Sequence, residues 1–238
     1  MTAVQRSPNR DRLLHTARLL RPLLVELVFV GGQVAELLVT DPAAVRVRPT
    51  DDVDVVVPVT TRTAYHALQL RLMTLGFTPD HRDGAPVCRM RTADDLLLDV
   101  MPLDEAILGF SNRWYAYALS SATTWTLEPT LDLRVASAAA FLAMKWEAFG
   151  ARGAADPMSS HDLEDVITVV AGRSAIIEDV GAAPDDVRQF IRAQTHAFLA
   201  TPWAAGVLEG NLPDARRVPG LARAVLERFT QLATVDER

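Results

Sequence analysis

The feature that most constrains the fold is the segment 50–57, Thr-Asp-Asp-Val-Asp-Val-Val-Val, in which carboxylates alternate with valines. Alternation with a period of two predicts a strand, on which residues i and i+2 face the same side. Asp52 and Asp54 therefore project together, and the alternating valines face the core. Two neighbouring carboxylates repel each other, and a divalent cation offsets that repulsion. The segment predicts a strand with a candidate metal site on one face.

A glycine pair precedes this strand by about twenty residues. The apolar run Val28-Phe29-Val30 predicts a short strand, Gly31-Gly32 a tight turn, and 33–38 a helix. Backbone amides at such a turn approach phosphate oxygens closely, and a helix N-terminus favours anions. The pair is not followed by the Lys-Ser/Thr of a Walker A loop, and the third glycine of a Rossmann fingerprint is missing. Together with the strand carboxylates, it predicts a metal–nucleotide site.

A third strand carboxylate is Asp99, in the segment Leu96–Met101. If this strand lies beside the strand of Asp52 and Asp54, Asp99 completes a triad. Three acids around two metal ions suit in-line phosphoryl or nucleotidyl transfer. The alternative for all three acids is a solvated strand face without a ligand.

The order of predicted elements divides the chain into two parts. The first hundred residues predict the order α-β-α-β-α-β-β, and the second half predicts mainly helices. We therefore expect an α/β (α+β) domain over 1–130 and a helical domain over 131–238, which completes the active-site cleft. The predicted helices are 10–27, 33–38, 63–75, 135–152, 159–171, 184–200 and 221–233.

Composition excludes several classes of protein. The 238 residues carry a net charge of −6, which argues against a broad basic coat for nucleic acid. Cys88 is the only cysteine, so no intrachain disulfide can form. No apolar stretch is long enough for a transmembrane helix, and the N-terminal residues do not resemble a signal peptide. We expect a cytoplasmic protein that does not interact with membranes.

Lys145 is the only lysine among 24 basic residues, so the other 23 are arginines. It precedes the segment Ser160-His-Asp-Leu-Glu-Asp165. With the pair Gly31-Gly32 and the motif Thr-x-Asp-Val-Asp, these residues resemble the DNA polymerase β-like nucleotidyltransferase superfamily, and within it the AbiEii-type branch. The resemblance covers about residues 25 to 175. The superfamily often has Gly-Ser where this chain has two glycines, which removes a hydroxyl contact to phosphate.

The resemblance implies a minimal nucleotidyltransferase domain with a mixed sheet, and a role for each motif residue. Asp52 and Asp54 would bind Mg²⁺ (or Mn²⁺), and Asp99 would be a metal ligand or the base. Gly31 and Gly32 would contact the triphosphate of an NTP. Lys145 would contact a phosphate. Asp162 and Asp165 would support the site or contact the acceptor.

Several residues have two interpretations. Thr50 and Arg48, with the alternating pair Arg89 and Arg91, are candidate contacts for the triphosphate or a polyanionic acceptor; for the arginines the alternative is ordinary solvated charge. Asp162 is spaced from Ser159 like a capping box, so it either caps its helix or serves the site, and Asp165 lies one turn further on. Arg152, seven residues after Lys145, either binds phosphate or pairs with an acid on the next helix; the second is preferred.

These observations predict a Mg²⁺-dependent nucleotidyltransferase that moves a nucleoside monophosphate from an NTP to a hydroxyl. The resemblance adds a toxin acting on RNA (tRNA) or protein, opposed by a separately encoded antitoxin. A small-molecule acceptor such as an aminoglycoside is the alternative within the enzyme class. The alternative outside that class is a non-catalytic nucleotide-binding or antitoxin-like module.

Overall fold

The structure is a computed structural model that describes residues 7–41, 45–212 and 218–235. These residues form two compact units. The sheet unit contains 7–36 and 48–137, and the helical unit contains 37–41, 45–47, 138–212 and 218–235. In the part of the chain that is described, no helix is both long and apolar enough to cross a membrane.

The sheet unit is built on a mixed seven-stranded sheet with the order β3-β4-β5-β2-β1-β7-β6. The pairs β2/β5 and β1/β7 are parallel, and the other neighbours are antiparallel. This confirms the predicted α/β class with a mixed sheet. In chain order, strands β1 to β7 are Val28–Val30, Asp52–Val56, Thr78–Pro79, Arg89–Arg91, Leu97–Met101, Thr123–Glu128 and Leu131–Val135.

Burial along the central strands explains why the sequence folds this way. All three residues of β1 are buried, as expected for a strand at the centre of the sheet. In β2, Val53 and Val55 are buried, while Asp52 and Asp54 are partly exposed. The predicted alternation is therefore present, with the valines in the core and both carboxylates on the opposite face.

Eleven α-helices lie in the described residues. In chain order, helices α1 to α11 are Pro8–Leu19, Ala35–Leu38, Arg62–Thr74, Glu105–Leu108, Tyr115–Ser120, Ala138–Ala148, His161–Gly172, Ile176–Gly181, Asp185–Leu199, Ala204–Asn211 and Leu221–Leu232. The prediction of one helix over 10–27 was wrong, because α1 ends at Leu19 and Pro22 lies in a separate 3₁₀ turn, Arg21–Leu23. The proline ring removes a backbone donor and prevents the helix from continuing.

The core of the helical unit contains a cluster of packed aromatic rings. Trp146 on α6 packs against Phe149 and Phe198, with ring centroids 6.0 and 5.8 Å apart, and Phe198 packs against Phe229 at 5.5 Å. Helix α6 is buried over nearly its whole length, which explains its alanine-rich sequence. It ends in a π-helical turn, Phe149–Gly153, rather than continuing as the predicted α-helix to residue 152.

The antiparallel pair β6/β7 has no counterpart among the predicted elements. Strand β7 starts at residue 131, directly after the predicted division of the chain, and belongs to the sheet unit. The alternation Leu-Asp-Leu-Arg-Val in β7 is the strand signal that the sequence offered.

Candidate active site

Asp52, Asp54 and Asp99 lie on one face of the sheet. The parallel register of β2 and β5 places Asp54 opposite Asp99, and Asp52 is two residues earlier on β2. Residues directly opposite each other on paired strands share a face. Asp99 is 5% exposed, so its carboxylate is held in a largely buried environment. The structure thus brings together the three carboxylates that the sequence singled out.

Arg89 supplies positive charge to two of these carboxylates. It lies on β4 opposite Asp99. Its Nε and Nη2 donate to Asp99 Oδ1 and Oδ2, both at 2.7 Å, and Nη2 also donates to Asp52 Oδ2 at 2.5 Å. Burial raises the pKa of Asp99 and outweighs the opposing effect of Arg89. The hydrogen bonds to Asp99 raise the pKa of the Arg89 guanidinium, so it stays charged.

The glycine turn lies against Asp54. Gly31 has φ +73°, in the left-handed region, and a Cβ atom built on it would lie 1.9 Å from Asp54 Oδ2. No side chain fits between this backbone and that carboxylate. Gly32 is buried and begins a 3₁₀ turn, Gly32–Val34, that leads into α2. The first of the two glycines is therefore required both by backbone conformation and by close approach.

Thr50 is held by a buried polar network that the sequence did not reveal. Its N–H donates to Asn9 Oδ1 at 2.9 Å, and its carbonyl accepts from Gln33 Nε2 at 3.0 Å and from the Arg12 guanidinium. The carbonyl of Arg48 accepts from Asn9 Nδ2 at 2.8 Å. The Thr50 hydroxyl and Gln33 Oε1 are buried without a hydrogen-bond partner among the described residues. The one sequence feature that pointed to this network is the position of Gln33, directly after the glycine pair.

A second charged cluster lies in the helical unit. Lys145 on α6 is 9% exposed, and its Nζ lies 3.1 Å from Asp162 Oδ1 and 2.6 Å from Asp165 Oδ2 on α7. Arg152, in the π-helical turn, donates from Nε and Nη2 to Asp162 at 2.7 and 3.0 Å. The preferred pairing of Arg152 with an acid on the next helix is confirmed. Asp162 and Asp165 both bind Lys145.

The capping-box interpretation of Ser159 and Asp162 was wrong. Ser160 is the N-cap of α7, and its hydroxyl accepts from the backbone N–H of Leu163. Asp162 is buried and turned toward Lys145 and Arg152. Burial alone would raise the pKa of Asp162, but hydrogen bonds from Arg152 and the charge of Lys145 outweigh it and hold this pKa below its ordinary value of 3.8.

The lowered pKa of Asp162 predicts a pH dependence of stability. The unfolded chain takes up a proton on Asp162 before the folded chain does, so this contribution is complete above the ordinary pKa and is lost as pH falls through the folded pKa. We expect the stability difference between the wild type and Asp162→Asn to shrink from about pH 6 to about pH 3 in urea unfolding. A difference that stays constant over this range would contradict it.

The residue types in the sheet unit fit a divalent cation. Carboxylate oxygens are the ligands that Mg²⁺ and Mn²⁺ prefer. As they stand, no three acidic, histidine or cysteine side chains in the described ranges are arranged to hold a metal ion. Arg89 binds oxygens of Asp52 and Asp99 that a metal ion would need. The carboxylate donors for a cation are therefore present, and in this structure the guanidinium of Arg89 provides the positive charge beside Asp52 and Asp99.

Solved structures provide the comparison that identifies the fold. The chain is similar to an antigenic nucleotidyltransferase-like protein from Paracoccidioides brasiliensis, with a TM-score of 0.50 and 18% identity over 92% of each chain. The chain has a nucleotidyltransferase-like fold. JHP933 from Helicobacter pylori is also similar, with a TM-score of 0.40 and 13% identity over 94% of this chain and 91% of that chain. No family model matches the sequence, and no curated protein matches it.

Proposed function

We propose that the protein is a Mg²⁺- or Mn²⁺-dependent nucleotidyltransferase. The observation that supports this most is the shared sheet face of Asp52, Asp54 and Asp99, with the Gly31 backbone packed against Asp54. The nucleotidyltransferase-like fold supports it independently. The substrate would be an NTP, and the acceptor a hydroxyl group.

The reaction assigns a task to each of these residues. Asp52, Asp54 and Asp99 would hold the divalent cation, and backbone N–H groups of Gly31 and Gly32 would bind the triphosphate. When bound, the cation would supply activation of the acceptor hydroxyl and neutralisation of charge on the leaving group. A bond forms between the acceptor oxygen and the α-phosphorus, the bond to the β-phosphate breaks, and pyrophosphate leaves. Asp99 would be either a ligand of the cation or the base that accepts the hydroxyl proton.

Lys145 is proposed to contact a phosphate group of the nucleotide. This proposal rests on the resemblance of its segment to the AbiEii-type branch. Its Nζ is bound by Asp162 and Asp165. We therefore assign to these two acids the task of positioning Lys145. Thr50 and Arg48 are proposed as nucleotide contacts, since the buried network around Asn9 fixes the backbone on which both lie.

The proposed context is a toxin that acts on RNA, such as tRNA, or on a protein, and that a separately encoded antitoxin opposes. It rests on the AbiEii-type resemblance of the motifs. A small-molecule acceptor is the alternative, which the net charge of −6 favours because a polyanionic RNA is repelled by an acidic surface.

The test is transfer of label from each α-³²P-labelled NTP to total cell RNA, protein and small-molecule fractions. We expect label from one or more NTPs in one fraction with the wild type, and a loss of about 100-fold or more with Asp54→Asn. Asp132→Asn is the matched control, because Asp132 is an exposed acid on β7 of the same sheet that pairs only with Thr126 in the described contacts. Equal labelling by the wild type and Asp54→Asn would contradict the proposal.

The second candidate is a non-catalytic nucleotide-binding module. The contact of Arg89 with Asp52 and Asp99 favours it, because the arginine occupies oxygens that a metal ion would need. Thermal stabilisation by NTP that does not depend on Mg²⁺, with no transfer to any fraction, would support this module. Stabilisation that needs Mg²⁺ and disappears in Asp54→Asn would support the enzyme.

A further inference from the structure

Two arginines of strand β4 share a sheet face but have different partners. Arg89 lies opposite Asp99 and Arg91 opposite Leu97, so both side chains are on the face that carries the carboxylates. Arg89 binds Asp99 and Asp52, whereas Arg91 binds Asp95, four residues further along the chain. The register of β4 and β5 decides which arginine reaches the triad.

Arg89 forms a bidentate, largely buried ion pair with Asp99 and a further contact with Asp52. Two nitrogens of its guanidinium bind Asp99 in a bidentate pair, and one of them also binds Asp52. The side chains of Arg89 and Asp99 are 17% and 7% exposed, so water screens this pair poorly. Like charges repel, and the guanidinium is a counter-ion shared by the buried Asp99 and the partly exposed Asp52.

We propose that Arg89 is a built-in competitor for the divalent cation, and that it sets the affinity of the carboxylate triad for metal. This inference rests on the proposed function. The cation and the guanidinium need the same oxygens of Asp52 and Asp99, so metal binding requires Arg89 to release at least one of them. The work of separating this poorly screened ion pair is subtracted from the metal affinity.

Metal affinity is measured on the full chain by titration with Mn²⁺, following free Mn²⁺ by electron paramagnetic resonance. We expect Arg89→Gln to bind Mn²⁺ about tenfold more tightly than the wild type, within the usual range of coupled equilibria. Arg91→Gln is the matched control and should leave the affinity unchanged within about twofold. Arg89→Gln combined with Asp54→Asn should lose the gain, which would locate the added affinity at the triad.

A second measurement, the Tm with and without Mn²⁺, tests whether Arg89→Gln is folded. Without Arg89, Asp52 and Asp99 lose this counter-ion, so we expect the variant to melt below the wild type without metal and to gain more in Tm from Mn²⁺. Arg89→Lys, which keeps the charge but loses the bidentate fork, should bind Mn²⁺ with an intermediate affinity.

The outcomes separate this inference from the proposed function. If the wild type binds Mn²⁺ and Arg89→Gln binds it no more tightly, Arg89 is not a competitor, and the proposed function stands. If neither binds Mn²⁺ at millimolar concentration, both proposals are overturned. If only Arg89→Gln binds, the competition is established and the non-catalytic module is favoured for the wild type.

Discussion

Lys145→Met is expected to lower the free energy of unfolding by about 3 to 5 kcal/mol, the range found when one partner of a buried ion pair is removed. Lys145 binds Asp162 and Asp165, which are 5% and 1% exposed. Methionine keeps most of the volume but leaves two buried carboxylates without this cation. Urea unfolding at neutral pH measures the change.

The control is a second substitution that removes one of these charges. Lys145→Met combined with Asp165→Asn should recover part of the lost stability, because the amide does not need a cation. Arg152 still binds Asp162 in both variants, so recovery reports on Asp165. A double variant less stable than Lys145→Met would contradict the electrostatic explanation and point to packing of the lysine stem instead.

Gly31→Ala is expected to have the second large effect, because two costs coincide there. The residue has φ +73°, and non-glycine residues in such conformations cost roughly 1 to 3 kcal/mol. The new Cβ would also meet the Asp54 carboxylate, which must move. We expect a lower urea midpoint and loss of Mg²⁺-dependent stabilisation by NTP.

Gly76→Ala separates these two costs. Gly76 also has a positive φ, +93°, but a Cβ there meets no atom within 4 Å. This variant should lose stability from strain alone and keep the response to NTP. If both variants keep the response, close approach of Gly31 to Asp54 is not needed for nucleotide binding.

Much of the fold was readable from local patterns. The alternation of β2 predicted the burial of Val53 and Val55 and the shared face of Asp52 and Asp54, because side-chain direction in a strand depends only on period. The break at Gly31 was predictable for a similar reason, since positive φ is routine only for glycine. The spacing between Lys145 and Arg152 left two roles open for Arg152, and the preferred one, pairing with an acid on the next helix, is the one observed.

Other features depended on partners distant in the chain. The strands β6 and β7 were not predicted, and the place of β7 in the sheet depends on its pairing with β1, about a hundred residues earlier in the chain. Whether Asp162 caps its helix or serves the site was open in the sequence, because both interpretations place an acid in the first turn.

The sequence by itself determined that Asp52 and Asp54 share a strand face, that the turn after β1 needs glycine, and that Lys145 is the single lysine of the chain. These depend on residue type and local period. Only the tertiary structure decided that Asp99 lies opposite Asp54, that Arg89 rather than Arg91 binds Asp52 and Asp99, and that Lys145 binds two buried acids. Each of these is a matter of register or helix packing, which local sequence leaves undetermined because the partners are joined through space.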